Sequence, residues 1–244
     1  MTEIRAKAEV LGALQTLNLM QHEELQKAGA EDPSLWIKKD HALGQLVAIF
    51  RGEVKGYYYN GQKRRCCYCS KELDRHQGTF DADHILHRSG FPWLMFHLSN
   101  IAACCKTCGG RKSNKNVLAA EGGHPQQPPS ESGDYLIVHP HLDEWDEFLK
   151  LDQFRRIVPN GDSPKGSNTI RICGIDALNN ARLADHFSAN NHRLAERAIE
   201  KFYSSKHQRA KDRKIALLIG LAELSEPARQ IVELLQVEAR VAAQ

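Results

Sequence analysis

The chain has 244 residues, of which 41% are hydrophobic and 26% are charged, and its formal net charge is +3. This length allows one large domain or two small ones, and the apolar content is sufficient for a buried core. So small a net charge excludes a generic polycation, and any contact with nucleic acid has to come from local basic patches. No apolar run approaches the ~20 residues of a membrane-spanning helix, and the N-terminus lacks the apolar segment of a secretory signal. We therefore expect a protein of the reducing cytoplasm.

Residues 1–60 are predicted to form a helical N-terminal segment. Leucines and an isoleucine recur at helical intervals within 3–28, which predicts one amphipathic helix there. A second helix is predicted over 35–51, and the tyrosine run at 57–59 indicates a short strand that ends in a turn. Packing against the rest of the chain is the favoured role of the first helix, and docking to a partner protein is the alternative.

Two Cys-x-x-Cys pairs mark the most distinctive stretch of the chain, residues 61–120. Each pair lets one short turn supply two thiolates, and two such turns complete the tetrahedral shell that Zn²⁺ prefers. The 35 residues between the pairs exceed the spacing of a compact zinc ribbon, as expected if a functional loop is inserted. Disulfides need an oxidising compartment, so structural zinc is favoured, and Cys67 and Cys104 are left as spare thiols. The four predicted zinc ligands are Cys66, Cys69, Cys105 and Cys108.

An Asp-His pair, Asp83-His84, and an asparagine, Asn100, lie between the two cysteine pairs. A strand is predicted over 80–86, and it would present the Asp-His pair. Hydrolysis of a phosphodiester needs a positioned base for water and a cation that absorbs charge in the transition state. Asp83 is a hard oxygen ligand of the kind that Mg²⁺ or Mn²⁺ takes, His84 can serve as the base, and Asn100 can hold the loop that carries His84. An isolated Asp-His pair is usually an ordinary surface dipeptide, but its place between the cysteine pairs favours a catalytic role.

The succession Asp-His-Ile, Leu-Ser-Asn-Ile and Cys-x-x-Cys-x-x-x-Lys resembles the zinc-stapled form of the HNH endonuclease motif, over about 50 residues. The resemblance implies a ββα-metal unit that holds one catalytic divalent ion. It also implies His84 as the general base, Asp83 as a ligand of that ion and Asn100 as the central asparagine of the motif.

The helix predicted after the second cysteine pair is basic. Lys112 stands four positions after the last cysteine, where the resemblance places a basic residue that faces phosphate. Lys106, Arg111 and Lys115 add positive charge beside it, and such a cluster suits contact with a nucleic-acid backbone. A solvated helix face is the alternative interpretation.

One position departs from the family pattern. Directly after the last cysteine the family usually has Asn or His as a second ligand of the catalytic ion, whereas this chain has Gly109. The nearby substitutes are His87, Asn114 and Asn116, of which Asn116 lies two helical turns, roughly 10 Å, from Gly109. Water is a further substitute, because magnesium commonly keeps several water ligands.

Residues 121–244 are predicted to be mixed and then helical. Strands are expected at 135–138 and around 154–158, a loop at 164–167, and a helix over 179–203. Ser225-Glu226-Pro227 has the composition of a helix start, so a final helix is expected there. The basic run 206–214 is usually a solvated face, and a track for nucleic acid is its alternative.

The region after the nuclease-like core is similar to the corresponding region of PtuB-like HNH proteins. The similarity consists of a Pro followed by acidic residues and a Phe, a second Pro-containing turn, Thr169-Ile170, Leu178-Asn179 and Arg182. Those proteins are nuclease subunits of Septu-type and some retron-associated antiphage systems. The similarity therefore implies an ATPase partner and the cutting of nucleic acid during phage infection.

Together these features predict an α+β protein with a ββα-metal core, a structural four-cysteine zinc site and mainly helical flanking segments. The predicted function is that of a metal-dependent HNH endonuclease, with DNA favoured over RNA, working with an ATPase in antiphage defence. One alternative is a non-catalytic zinc module that binds nucleic acid or a partner protein, and another is a stand-alone restriction-type HNH nuclease. No membrane partner is expected, and the oligomeric state stays open.

Overall fold

The computed structural model describes residues 4–38, 40–120, 122–222 and 225–242, and within them the chain is α+β. The α-helices are Leu19–Glu31 (α1), Gly44–Gly61 (α2), Lys106–Lys112 (α3), Trp145–Phe148 (α4), Pro164–Ile172 (α5), Ile175–Ala184 (α6), His192–Ser204 (α7), Gln208–Ala222 (α8) and Glu226–Val241 (α9). The strands are Phe80–His84 (β1), Ile101–Cys105 (β2), Leu149–Leu151 (β3) and Ile157–Pro159 (β4), and they pair as two small sheets, β1 with β2 and β3 with β4.

None of the helices in the described ranges combines the length and the apolar character that spanning a bilayer requires.

The chain divides into two compact units. The first comprises Met1–Lys150 and Val158–Ile175, and it holds both cysteine pairs and the residues between them. The second comprises Leu151–Ile157 and Asp176–Gln244.

The first helix is shorter than the sequence predicts, because α1 begins at Leu19 and residues 4–18 are not helical. Asn18 sets this start: its side-chain oxygen accepts from the backbone N–H of Gln21, and the Gln21 side chain accepts from the backbone N–H of Asn18. This reciprocal capping box satisfies donors that a helix start leaves free. The preceding segment is held by distant contacts instead, since the buried Arg5 side chain donates to the carbonyl oxygens of Cys67 and His139. Tertiary contacts therefore override the helical pattern over 4–18.

The tyrosine run belongs to helix α2, so the strand predicted at 57–59 is wrong. The buried residues of α2 are Val47, Phe50, Val54 and Tyr58, which recur every three or four positions and extend one apolar stripe through the tyrosines. Tyr58 continues this stripe into the core, where its hydroxyl donates to the carbonyl oxygen of Leu98 at 2.7 Å. The helix also starts later than predicted, at Gly44.

Strands β1 and β2 pair antiparallel in the order that brings the motif residues to one place. Asp83 lies opposite Ala102, and His84 lies opposite Ile101. Strand β2 is buried along its whole length, and helix α3 begins at the next residue, so the chain runs strand, strand, helix. The loop between the strands returns within 16 residues, 85–100, and ends at Asn100. The predicted strand at 80–86 is therefore confirmed over 80–84.

Two local predictions for the second half of the chain are wrong. Tyr135 forms an isolated bridge to Leu118 rather than part of a strand over 135–138. The predicted loop at 164–167 is the start of α5, where the Ser163 side chain accepts from the backbone N–H of Gly166 and caps the helix. The final helix is confirmed, with the Ser225 hydroxyl as its N-terminal cap.

The second unit is built on three long helices. Helix α7 packs against α8, and α8 packs against α9. The long helix predicted over 179–203 is broken after Ala184 and resumes at His192. The buried apolar residues of this unit form one core whose largest members are Phe154, Leu183, Phe187, Ile199, Phe202, Ile215, Leu218, Ile231 and Leu235.

Candidate functional site

The two cysteine pairs converge on one point. Their four sulfur atoms all lie within 4.8 Å of one another, and all four residues are buried. No disulfide joins the cysteines of the described chain. The group that can hold a metal ion consists of the four cysteines predicted from the sequence, Cys66, Cys69, Cys105 and Cys108.

Backbone hydrogen bonds hold the four cysteines of this group in place. At the first pair the backbone N–H of Cys66 donates to the carbonyl oxygen of Lys71, which closes a tight turn with Ser70 at a positive φ of 54°. At the second pair Cys105 is the N-cap of α3, and its sulfur accepts from the backbone N–H of Cys108 at 3.4 Å. The backbone N–H of Cys105 in turn donates to the sulfur of Cys66. The cysteine group therefore fixes the start of helix α3 relative to the first turn.

Cys67 and Cys104 form a second, overlapping group with Cys66, which is also compact enough for a metal ion. This trio supplies three ligands, whereas the other group supplies the four that a tetrahedral zinc shell requires. We therefore take the four-cysteine group as the candidate metal site.

A cavity of about 240 Å³ opens beside strand β1. Both residues of the Asp-His pair line it, together with one turn of the following loop and the C-terminal end of α3. The lining residues are Asp83, His84, His87, Arg88, Ser89, Gly109, Ser113 and Asn114.

His84 is fixed in one orientation at this cavity. Its Nε2 lies 2.9 Å from the carbonyl oxygen of Met95, and the Trp36 ring packs edge-on against the imidazole with centroids 4.4 Å apart. A carbonyl can only accept, so Nε2 carries the proton and Nδ1 keeps its lone pair. Burial lowers the pKa of His84 to about 3, so the ring is neutral at physiological pH. A neutral imidazole with a free Nδ1 at a cavity is the form from which a general base starts, and the burial that keeps it neutral also weakens it as a base.

Asp83 presents one oxygen to protein partners and has one oxygen left. Its Oδ2 accepts from the Tyr68 hydroxyl at 2.9 Å and lies 3.2 Å from the Lys112 ammonium. Its Oδ1 faces Gly109 and would lie 3.6 Å from a Cβ atom at that position. Burial raises the pKa of Asp83, and the charge of Lys112 opposes that rise. The ammonium therefore helps to keep this buried carboxylate ionised.

The position of Lys112 differs from the prediction made from the sequence, in which its side chain faces phosphate. Only 1% of its side chain is exposed, and its Nζ donates to the carbonyl oxygen of His84 at 2.8 Å while it pairs with Asp83. The attraction of Asp83 raises the pKa of Lys112 although burial acts in the opposite direction. Lys112 thus supports the Asp-His pair from inside the protein and is not available to a nucleic-acid backbone.

Replacing Lys112 with methionine is expected to lower the free energy of unfolding by about 3–5 kcal/mol, because Asp83 would stay buried without its partner charge. Lys106→Met is the matched control, since the Lys106 pair with Asp81 is exposed on both sides and such pairs contribute about 0–1 kcal/mol. Urea unfolding of the two variants measures the difference. Equal destabilisation by the two substitutions would contradict the role of Lys112 as an internal counterion.

Asn100 ties down the loop that follows β1. Its Oδ1 accepts from the backbone N–H of Leu86 at 2.8 Å, and its Nδ2 donates to the carbonyl oxygens of Leu86 and Leu94. The side chain is buried, so all three bonds are shielded from water. The loop contains Met95, whose carbonyl orients His84, and Asn100 is therefore placed to stabilise that orientation.

The remaining predicted residues divide into two groups. His87 and Asn114 both line the cavity, and the Nδ1 of His87 lies 3.0 Å from the Ser89 hydroxyl. Arg111 is exposed on α3, whereas the Nζ of Lys115 donates to the carbonyl oxygen of Ile172 at 2.9 Å. Among the side chains that the structure describes, no three from His, Cys, Asp and Glu close around Asp83 as a preformed metal site.

Sequence reasoning missed four residues of this site. Tyr68 bonds to Asp83, Trp36 packs on His84, and Arg88 and Ser113 line the cavity. Trp36 is distant in sequence and lies in a segment predicted to be helical, so no local pattern connects it with His84. Tyr68 lies between Cys66 and Cys69, and the cysteine spacing around it indicates a metal site but gives no sign of its hydrogen bond to Asp83.

No family model, curated protein or solved structure matches this chain. Its function has to be argued from the residues of the site.

Proposed function

We propose that this protein is a metal-dependent endonuclease of the HNH type that hydrolyses phosphodiester bonds in nucleic acid, with DNA as the favoured substrate. The observation that carries the proposal is the pairing of an oriented, neutral His84 with the open oxygen of Asp83 in one cavity. The resemblance of the motif assigns a base and a metal ligand to these same two residues.

The ion at the four cysteines is proposed to be structural zinc. Four sulfur atoms at the ~2.3 Å bond length of Zn–S form a tetrahedron whose edges are about 3.8 Å. The sulfur atoms of Cys69 and Cys105 are 3.8 Å apart. A closed shell of four thiolates leaves no position for substrate, so catalysis belongs to the neighbouring cavity.

At the cavity, Nδ1 of His84 takes a proton from the attacking water, and the carbonyl of Met95 stabilises the charged ring. A divalent ion, when bound, supplies positive charge for the phosphate in the transition state. Asp83 Oδ1 would be its protein ligand, with His87, Asn114 or water completing the shell. This fits a weakly held magnesium, which commonly takes one or two carboxylates and shares the rest of its shell with water and substrate phosphate.

A substitution at Gly109 can test whether this position is the place of the second protein ligand of the catalytic ion. A Cβ atom there would lie 3.6 Å from Asp83 Oδ1 and 3.7 Å from the Cys104 sulfur, which are ordinary contacts, so a side chain is tolerated. Gly109→Asn or Gly109→His is expected to tighten the binding of Mn²⁺ by about tenfold, equivalent to ~1.4 kcal/mol. Gly110→Asn is the matched control, because a Cβ atom at Gly110 meets nothing within 4 Å. Mn²⁺ titration followed by electron paramagnetic resonance measures the affinity, and an equal gain in the control would contradict the geometry.

The cellular role is proposed from the similarity to PtuB-like proteins. In that role the nuclease works with an ATPase encoded beside it, in the cytoplasm of a bacterium, and cuts nucleic acid during phage infection. Co-purification of a tagged chain with such an ATPase tests this part, and cleavage by the isolated chain without any partner would favour a stand-alone nuclease.

A non-catalytic zinc module that binds nucleic acid or a protein is the second candidate. Gly109, which supplies no ligand, and Lys112, which already neutralises Asp83, both favour it. Labelled DNA and RNA strands incubated with the purified chain distinguish the two functions. If the protein is a nuclease, we expect cleavage that requires Mg²⁺ or Mn²⁺. Binding of the strands without cleavage in the presence of either metal would support the non-catalytic module.

A further inference from the structure

We propose that helices α7 and α8 of the second unit form a surface that binds the phosphate backbone of nucleic acid without reading its sequence. This inference goes beyond the proposed cleavage, because it concerns a different part of the chain and needs no catalytic metal.

The charge of the chain is concentrated in this surface. Between residues 193 and 214 there are eight Lys and Arg residues against three acidic residues, which gives a local net charge of +5. The whole chain carries only +3. The neighbouring helix α9 has three acidic residues against two arginines, so the excess of positive charge does not extend to it.

Helix α7 arranges its cations in a row. Arg193, Arg197 and Lys201 are all exposed and are spaced four residues apart, so they follow one face of the helix. Successive members lie about 6 Å apart along the axis, close to twice the ~3.4 Å axial spacing of phosphates on one DNA strand. Among the described residues, none of these three cations forms an ion pair within 4.0 Å.

Helix α8 carries a second row of cations. Arg209 and Arg213 are exposed and again four residues apart, and the exposed Lys206 lies in the turn between the two helices. The ammonium of Lys211 lies 5.4 Å from the centroid of the Phe202 ring on α7, which shows that the two rows are carried by helices in contact.

The surface fits a nucleic-acid backbone better than an anionic membrane. A membrane-bound helix inserts an apolar face flanked by cations. In α7 and α8 the apolar stripes, which include Ile199, Phe202, Ile215 and Leu218, are already buried in the core of the unit. The outward faces carry the cations together with four exposed apolar side chains, Leu194 and Tyr203 on α7 and Leu217 and Ile219 on α8. Cations that contact phosphates release counterions and give salt-dependent binding.

The test is binding of a labelled DNA duplex by the full chain, followed by fluorescence anisotropy at several salt concentrations. His84→Ala is used as the background and no Mg²⁺ or Mn²⁺ is added, so that failure of the proposed cleavage cannot affect the result. The two test variants are Arg193→Gln with Arg197→Gln, and Arg209→Gln with Arg213→Gln. The matched control is Arg229→Gln with Arg240→Gln on α9, which removes two positive charges elsewhere in the same unit.

Each test variant is expected to weaken binding about equally for unrelated sequences. It is also expected to reduce the slope of log K against log salt by roughly 2, one for each lost phosphate contact. The control is expected to keep the original slope. Equal effects in test and control variants, no effect in the test variants, or no binding of DNA by the parent chain would overturn the proposal. Binding of the same variants to anionic vesicles is measured in parallel. If the test variants lose vesicle binding and keep DNA binding, the proposal is overturned in favour of a membrane-binding surface.

Discussion

A chain in which Cys108 is replaced by serine is expected to purify without zinc and to lose the fixed structure of the strand, strand, helix core. Structural zinc contributes an apparent binding free energy of ~10–16 kcal/mol at neutral pH in small zinc domains, and in such domains that energy is folding energy. Here the cysteine group also fixes the start of α3, which carries Gly109 and Lys112 to the site. Loss of the ion should therefore disturb the cavity as well as the metal site.

Zinc content by atomic absorption and near-ultraviolet circular dichroism measure these two losses. The wild-type chain is expected to hold one zinc ion. Cys67→Ala is the matched control, because Cys67 is buried beside the group but lies outside the proposed shell. A Cys108→Ser protein that retains zinc, together with a Cys67→Ala protein that loses it, would move the site to Cys66, Cys67 and Cys104.

Replacing His84 with alanine is expected to reduce the cleavage rate about 10²–10⁴-fold, the usual contribution of a positioned general base. The reason is geometric: His84 is the imidazole with one nitrogen fixed by the Met95 carbonyl and the other left free at the cavity of Asp83. The proposed zinc ligands do not include His84, so the variant is expected to keep the metal content of the wild-type chain.

The control for this substitution has to separate lost chemistry from lost packing, because His84 is buried against Trp36. His97→Ala is suitable, since His97 lies in the loop that follows β1, is partly buried and bonds to Ser99 rather than to a cavity residue. Single-turnover cleavage rates are compared at a temperature where both variants are folded. Retention of the wild-type rate by His84→Ala would remove His84 from the mechanism.

Features that depend on neighbouring residues were readable from the sequence. The Cys-x-x-Cys spacing predicts its own turns, and the four sulfurs do converge. The strand that carries Asp83 and His84 and the start of α9 at Ser225 were predicted for the same reason, since alternation and caps are local signals.

Features that depend on distant residues were not readable. The helical pattern over 4–18 is overridden because Arg5 finds buried carbonyl partners at Cys67 and His139. Lys112 follows a basic pattern, yet it is buried because its partner Asp83 lies 29 positions earlier on the adjacent strand. Tyrosines favour strands, but residues 57–59 are helical because Tyr58 is buried on the apolar stripe of α2. In each case a contact between remote segments outweighs the local preference.

The most direct test of the proposed nuclease is the rate of nicking of a supercoiled plasmid as a function of magnesium concentration. The wild-type chain and Asp83→Asn are compared after both are shown to be folded and to contain equal zinc. We predict a wild-type rate that rises with magnesium and is absent without it, and no nicking by Asp83→Asn at any concentration. Equal rates for the two proteins, or wild-type nicking that does not depend on the metal, would contradict a catalytic centre at Asp83 and His84.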